Sequence, residues 1–388
     1  MKITPFTVNI SDARLEDMRR RIRATSWPGD FANEEWRYGV EEKWLGAMAA
    51  YWADEYDWRA TEAAINRFPN FMADIDGVPI HFIHLRSPRP NAIPLILTHG
   101  WPWTFWDWRY VIEPLANGEP GGPVFDVVVP SLPGYGLSAP LRTAGLGARQ
   151  VATLWVKLMR EGLGYDRFAA AGGDFGTIIT GELGHGYPQH LIGVNLTTPA
   201  LAGMDWYSFT REMYAPDEQW MIERTAATKL TIAGHMAVNV HDSQTIAYAL
   251  ADSPVGTAAW LWERRRAWSD CDDIIAYQGR DFLCDLASIY WLPNTVGSAM
   301  RIYAEHFRRD FLPLNDRKPM VPVPTGCMIA PKDLIFVPKT MAEKLVNLRR
   351  WTILERGGHF SPSEVPELVV AEYRTFFGAL GQGNHQSH

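Results

Sequence analysis

Cysteine is scarce. Only 3 occur in 388 residues, Cys271, Cys284 and Cys327, and none forms a C-x-x-C pair. That spacing argues against a disulfide framework and a thiolate metal site, and it fits a reducing, cytoplasmic setting. No window approaches the roughly 20 consecutive apolar residues that a membrane-crossing helix needs. Met1-Lys2-Ile3-Thr4-Pro5 opens without the apolar region of a signal peptide. Positive charge is short as well: the formal net charge is −7 with no basic cluster, which removes nucleic acid as a partner. Internal repeats are absent. What remains is an ordinary soluble composition, 47% hydrophobic and 21% charged, long enough for one large domain or two smaller ones. Tryptophan is the exception at 17 residues, a number that suits either dense core packing or a large apolar pocket.

Along the chain, periodicity separates three parts. Residues 1–70 read as a helical extension that packs on the main domain. Ser11-Asp12 caps a first helix carrying Leu15, Met18 and Ile22, and a second helix between Val40 and Tyr56 carries Trp44, Met48, Tyr51 and Trp52. From Phe71 the period changes to two. Asp76-Gly77 marks a hairpin, and Ile93–Thr98, Phe125–Val129 and Phe168–Gly173 are the short apolar runs of buried parallel strands. Strands return at Val323–Ile329 and Trp351–Leu354. The alternation predicts an α/β core, mostly parallel and doubly wound, over 71–200 and 318–380, with a helical cap inserted at 201–317.

The chemistry centres on Gly172-Gly173-Asp174-Phe175-Gly176, between an apolar strand and a helix. Small residues two before and two after Asp174 permit a sharp strand-to-helix bend, the elbow that exposes a nucleophile at the top of a parallel sheet. A carboxylate there can attack carbon and form an ester, which a base must then hydrolyse. His359, after the last predicted strand in Gly357-Gly358-His359, is placed to be that base. Asp333, after the strand ending at Ile329, can orient and charge-stabilise its imidazole; Glu355 is the second candidate. The order nucleophile, acid, histidine is that of α/β-hydrolases. Backbone N–H groups of Phe175 and of Trp101, in His99-Gly100-Trp101-Pro102, are the candidate oxyanion donors. Tyr303 is a candidate acid for a departing oxygen, because a phenol stays protonated at neutral pH.

Taken in order, these motifs resemble the microsomal type of epoxide hydrolase within the α/β-hydrolase superfamily, over nearly the whole chain. The resemblance rests on Trp52-Ala53-Asp54-Glu55-Tyr56-Asp57-Trp58-Arg59 and Asn66-Arg67-Phe68-Pro69 in the extension, on His99–Pro102, on Gly134-Tyr135-Gly136-Leu137-Ser138, and on the elbow. It implies a cofactor-free, metal-free enzyme acting on a small-molecule epoxide, and the Trp- and Met-rich cap points to a bulky, apolar one. Asp174 would be nucleophile, His359 base, Asp333 its partner and Tyr303 the ring-opening acid. It also implies a cis bond before Pro102 and a homodimer, while the membrane anchor of the microsomal members is missing. Two departures stand out. Phe175 occupies a position where Trp is common, and Gly234-His235-Met236 stands where Gly-Tyr is expected. His235 then either replaces a second phenol as hydrogen-bond donor or only lines the pocket. A haloalkane dehalogenase with the same aspartate nucleophile and a non-catalytic ligand-binding relative are the competing readings. The first lacks the indole after the nucleophile, and the second does not account for an intact triad.

Overall fold

The computed structural model describes residues 1–201, 204–308 and 317–383. Nine strands form one sheet: β1 (Lys2–Pro5), β2 (Asn70–Ile75), β3 (Val78–Leu85), β4 (Ile93–Thr98), β5 (Phe125–Pro130), β6 (Phe168–Gly172), β7 (Leu191–Thr197), β8 (Val321–Ile329) and β9 (Val346–Ile353). Their order is β1-β2-β3-β5-β4-β6-β7-β8-β9. β1, β2 and β3 add on antiparallel, and every pairing from β5 to β9 is parallel. The fold is thus the mostly parallel α/β-hydrolase sheet expected from the alternation of elements.

The first seventy residues are not helical throughout. β1 pairs with β2 at the sheet edge, Lys2 opposite Asp74 through Pro5 opposite Phe71. Proline is tolerated there because an edge strand need not donate on its outer side. Three helices follow, α1 (Asp12–Arg23), α2 (Glu42–Asp54) and α3 (Trp58–Asn66). Ser11 and Asp57 cap α1 and α3 by accepting the N–H groups of Arg14 and Arg59. α1 buries Leu15, Met18 and Ile22; α2 buries Leu45, Met48, Ala49 and Trp52, with Trp44 and Tyr51 at the edges of that stripe.

In the core, α4 (Arg109–Asn117), α5 (Ala148–Lys157) and α6 (Phe175–Gly186) connect the parallel strands. α7 (Gln219–His241), α8 (Ser243–Asp252), α9 (Pro254–Trp268), α10 (Ile274–Gln278), α11 (Arg280–Trp291) and α12 (Val296–Phe307) make up the stretch between β7 and β8. Of the range 201–317, residues 202–203 and 309–316 lie outside the described residues. α13 (Lys339–Leu345), α14 (Ser361–Glu364) and α15 (Pro366–Gly383) complete the chain.

One face of α11 joins the extension to this helical stretch. Tyr51 Oη donates to Asp281, Tyr56 Oη to Asp285 at 2.7 Å, and Trp52 Nε1 to Ser288 Oγ at 3.0 Å. The Thr61 hydroxyl donates to Asp285 as well. Acceptors at 281, 285 and 288 recur at helical spacing, so one stripe of α11 receives four donors from the extension. Asp285 also accepts from Trp106 Nε1 at 3.2 Å, which brings the loop after β4 into the same joint.

Candidate active site

The site grows from the neighbouring ends of β4 and β6. Thr98 is paired with Gly172, so the loops leaving both strands emerge side by side. β4 lies between β5 and β6, the point where connections depart in opposite directions and where open α/β sheets bind ligands. Asp174 is the second residue past β6 and the N-cap of α6. Its φ of 55° and ψ of −127° are the strained geometry that turns a nucleophile out of the chain. The turn fits because its neighbours lack side chains: a Cβ on Gly100 would overlap the Asp174 carboxylate, and one on Gly176 would overlap the Thr98 carbonyl.

Trp101 N–H donates to Asp174 Oδ1 at 2.8 Å. Phe175 opens α6, so its N–H is among those at a helix start that have no partner inside the helix. Asp174 also sits at the positive end of the α6 dipole. His99 fixes this loop: Nδ1–H donates to the Gly100 carbonyl at 2.9 Å, and Nε2 accepts Leu132 N–H at 3.0 Å. Burial pushes His99 down to about 4, so it stays neutral in that arrangement. The Trp101–Pro102 peptide is cis.

His359 reaches the elbow from the loop after β9. Its Nε2 lies 3.3 Å from Asp174 Oδ2, a long contact poorly aligned for a hydrogen bond. Its Nδ1–H donates to Asp333 Oδ1 at 2.8 Å. Burial alone would lower the imidazole. The Asp333 carboxylate and the contacts with Asp174 outweigh it and raise His359 to about 9. Asp333, between β8 and α13, also accepts Leu334 N–H on Oδ1 at 2.7 Å and the Thr198 hydroxyl on Oδ2 at 3.0 Å. Glu355 is exposed and paired with Arg356, away from this arrangement.

Tyr303 from α12 and His235 from α7 lie across the cavity. Their rings are perpendicular with centroids 5.7 Å apart, and Tyr303 meets Phe175 edge-on at 4.8 Å. Burial and the Asp174 charge drive the Tyr303 phenol well above 10, so it keeps its proton. Burial, helped by Arg264 and His359, drives His235 well below 6.5, although the carbonyls of Thr231 and Ile232 pull the other way. The imidazole of His235 is therefore neutral and has one N–H to give. The cavity among these groups measures about 80 Å³; Phe175, Ile178, Trp206, Ile232, Met236 and Phe307 supply apolar wall. All seven residues singled out from the sequence, Asp174, His359, Asp333, Tyr303, His235, Trp101 and Phe175, meet in this one region.

Other residues here carried no signal in the sequence. Arg265 of α9 and Asp107 are a pair with both side chains 0% exposed, Nη1 and Nη2 donating to Oδ1 at 2.8 and 2.7 Å. Asp107 Oδ2 accepts Thr104 N–H, and the Arg265 guanidinium lies 3.6 Å over the Phe360 ring. Glu364 accepts the N–H groups of Gly358, Phe360 and Asp270 at 3.0, 2.7 and 2.8 Å, bracketing His359. These contacts join residues far apart in the chain, and no local pattern announces them.

An aspartate at a strained strand-to-helix elbow, served by histidine and a second aspartate from later loops, defines an α/β-hydrolase that works through an enzyme ester. The comparisons narrow the class. Residues 3–108 match the family model for the epoxide hydrolase N terminus, and residues 93–364 match that for the alpha/beta hydrolase fold. A putative epoxide hydrolase of Stigmatella aurantiaca is 36% identical, with 97% of this chain and 85% of that one covered. Epoxide hydrolase 1 of Sus scrofa is 30% identical, covering 98% and 89%. Among solved structures, juvenile hormone epoxide hydrolase of the silkworm Bombyx mori superposes with a TM-score of 0.90 at 26% identity, covering 99% and 96%. Aspergillus niger epoxide hydrolase gives 0.85 at 28%, covering 98% and 97%. The chain belongs to the epoxide hydrolase family.

Proposed function

We propose that this epoxide hydrolase converts an apolar epoxide to a vicinal diol through a hydroxyalkyl ester on Asp174. The observation that carries the proposal is the division of labour on one carboxylate. Oδ1 is held by the Trp101 N–H, which leaves Oδ2, the oxygen nearer His359, free to attack. Attack by Oδ2 on an epoxide carbon forms one C–O bond and breaks the ring C–O bond. Tyr303 gives its proton to the departing oxygen, with His235 as second donor through an Nε2–H tautomer.

Esterification removes the Asp174 charge, which is part of what holds a proton on His359. His359 gives up that proton, which restores the Tyr303 phenol, and the imidazole is then a base when a base is needed. It takes a proton from water, and the hydroxide attacks the ester carbon. Charge collects on Oδ1 under the Trp101 and Phe175 N–H groups. Collapse expels the diol alkoxide, which takes the proton of the new carboxyl group, and Asp174 is regenerated as a carboxylate carrying one oxygen from water.

Apolar side chains make up most of the cavity wall, so the rest of the substrate is hydrocarbon in character. With about 80 Å³ between these walls, a bulky epoxide would place only its reactive ring there and extend past Trp206 and Met236. No helix among the described residues is long and apolar enough to cross a membrane. Three free cysteines support a cytoplasmic setting, and family resemblance is the support for a homodimer. The division into an extension at 1–70, a core at 71–200 and 318–380, and a cap at 201–317 belongs to the same proposal.

A single turnover in heavy-oxygen water tests the reading. The label should enter the Asp174 carboxylate and be missing from the first diol formed. Asp174→Ala should form no diol, and His359→Gln should alkylate once and keep the added mass. Label in the first diol would mean direct attack of water on the epoxide and would end the ester mechanism.

A further inference from the structure

Thr198 follows β7 with a φ of +59°. That region suits Gly or Asn; for a β-branched residue it is a genuine outlier, and here the next residue is Pro199, which further disfavours helical conformations. The conformation is held from both sides, since Thr198 N–H donates to the Met328 carbonyl at 3.1 Å and its own carbonyl accepts Ala200 N–H at 2.7 Å. The side chain is buried, and its hydroxyl donates to Asp333 Oδ2 at 3.0 Å. Strain of this kind persists where the surroundings enforce it, and it gathers at sites of function.

Asp333 shows what the strain supports. Its Oδ1 serves two donors, His359 Nδ1–H and Leu334 N–H, and the Thr198 hydroxyl is the donor on Oδ2. A carboxylate fixed only through Oδ1 can pivot about that atom, and the imidazole it orients would turn with it. We propose that Thr198 is a positioning residue for ester hydrolysis, its hydroxyl locking the second oxygen of Asp333 and so aiming His359 at the attacking water. The proposal rests on the reading of Asp333 as the partner of His359.

A hydroxyl donor also tempers the basicity of the carboxylate it bonds. Several charged or titratable groups surround the pair. His359 is faced by Asp333 from the loop after β8, by Asp174 from the elbow and by His235 from α7. Asp333 is faced as well by Arg224 of α7, whose guanidinium donates to the carbonyls of Asp333 and Lys332 at 3.1 and 2.8 Å. All of these stay in place in Thr198→Val and Thr198→Ser, so a difference between those variants reads the hydroxyl.

The test is single-turnover kinetics on a styrene-type epoxide, with alkylation and hydrolysis followed separately across pH. Thr198→Val should alkylate at nearly the wild-type rate and hydrolyse on the order of 10-fold more slowly, the effect of losing one hydrogen bond to a charged group. The pH midpoint of its hydrolysis should move up, because a carboxylate short of one donor holds the His359 proton more firmly. Thr198→Ser should restore both rate and midpoint. Wild-type hydrolysis in Thr198→Val, or a Thr198→Ser as slow as Thr198→Val, overturns the proposal. Asp333→Ala run alongside separates the two levels: if it hydrolyses normally, the site reading itself fails.

Discussion

The imidazole of His235 lies flat on the indole of Trp101, with ring centroids 5.2 Å apart and planes inclined by 14°. Trp101 also supplies the N–H that holds Asp174 Oδ1, so one residue fixes the proposed nucleophile with its backbone and the proposed second ring-opening donor with its side chain. Trp268 packs against the same imidazole from a second direction, 4.9 Å away and steeply inclined at 62°. A ring held on two sides keeps one orientation, which is what a single-donor imidazole needs to act beside a phenol. His235→Phe should therefore slow alkylation by about 10-fold, the loss of one hydrogen bond, and leave ester hydrolysis unchanged. His235→Tyr should recover the rate. Rapid-quench measurement of both steps checks this; unaltered alkylation in His235→Phe would make His235 a wall and nothing more.

The proposed mechanism gives Tyr303 the larger share of ring opening. Tyr303→Phe should slow alkylation by on the order of 100-fold or more, within the usual range for a positioned general acid. Because the phenol stays protonated well above 10, no fall in alkylation should trace to Tyr303 as pH rises through the neutral range. Equal slowing of alkylation and hydrolysis in Tyr303→Phe would contradict the assignment, since the phenol has no part in the second step.

His359 couples catalysis to stability. Its folded value of about 9 exceeds the ordinary 6.5, so folding favours the protonated form. The contribution is complete below about 6.5, and it is lost as pH rises through about 9. Its ceiling is on the order of 3 kcal/mol. His359→Gln removes the titration, so the stability gap between wild type and this variant should shrink over that window. Denaturant melts from pH 6 to 10 measure it; a gap that stays constant would mean that the imidazole is neutral in the folded enzyme.

The elbow was legible in the sequence because its cause is local. Glycines around an aspartate between an apolar strand and a helix dictate the bend, and chain order then places the acid and the histidine at later strand ends. β1 and β7 were not legible. β1 has four residues and a proline, too short for a period to show. β7, Leu-Ile-Gly-Val-Asn-Leu-Thr, carries Gly193 and Asn195, both poor strand formers in isolation. It forms because β6 and β8 pair with it on either side and Asn195 Nδ2 finds Glu372 at 3.3 Å. With β7 unread, Thr198 at its end had no place in a site. Arg265, Asp107 and Glu364 stayed hidden for a related reason, since a buried charge announces itself only once its partner is in view.

The Arg265–Asp107 pair offers the sharpest test of how the helical stretch is tied to the site. Both side chains are fully buried, and the pair spans α9, the loop after β4 and the ring of Phe360 beside His359. Desolvation makes such a pair an uncertain net stabiliser, but removal of one partner strands the other charge in an apolar interior. Arg265→Met should then cost about 3–5 kcal/mol in denaturant unfolding. Arg265→Met combined with Asp107→Leu should recover much of that loss, because no charge remains unpaired. Hydrolysis should stay impaired in the double variant, since no guanidinium would lie over the Phe360 ring beside His359. A double variant as unstable as Arg265→Met would show that packing, and not the stranded carboxylate, sets the cost.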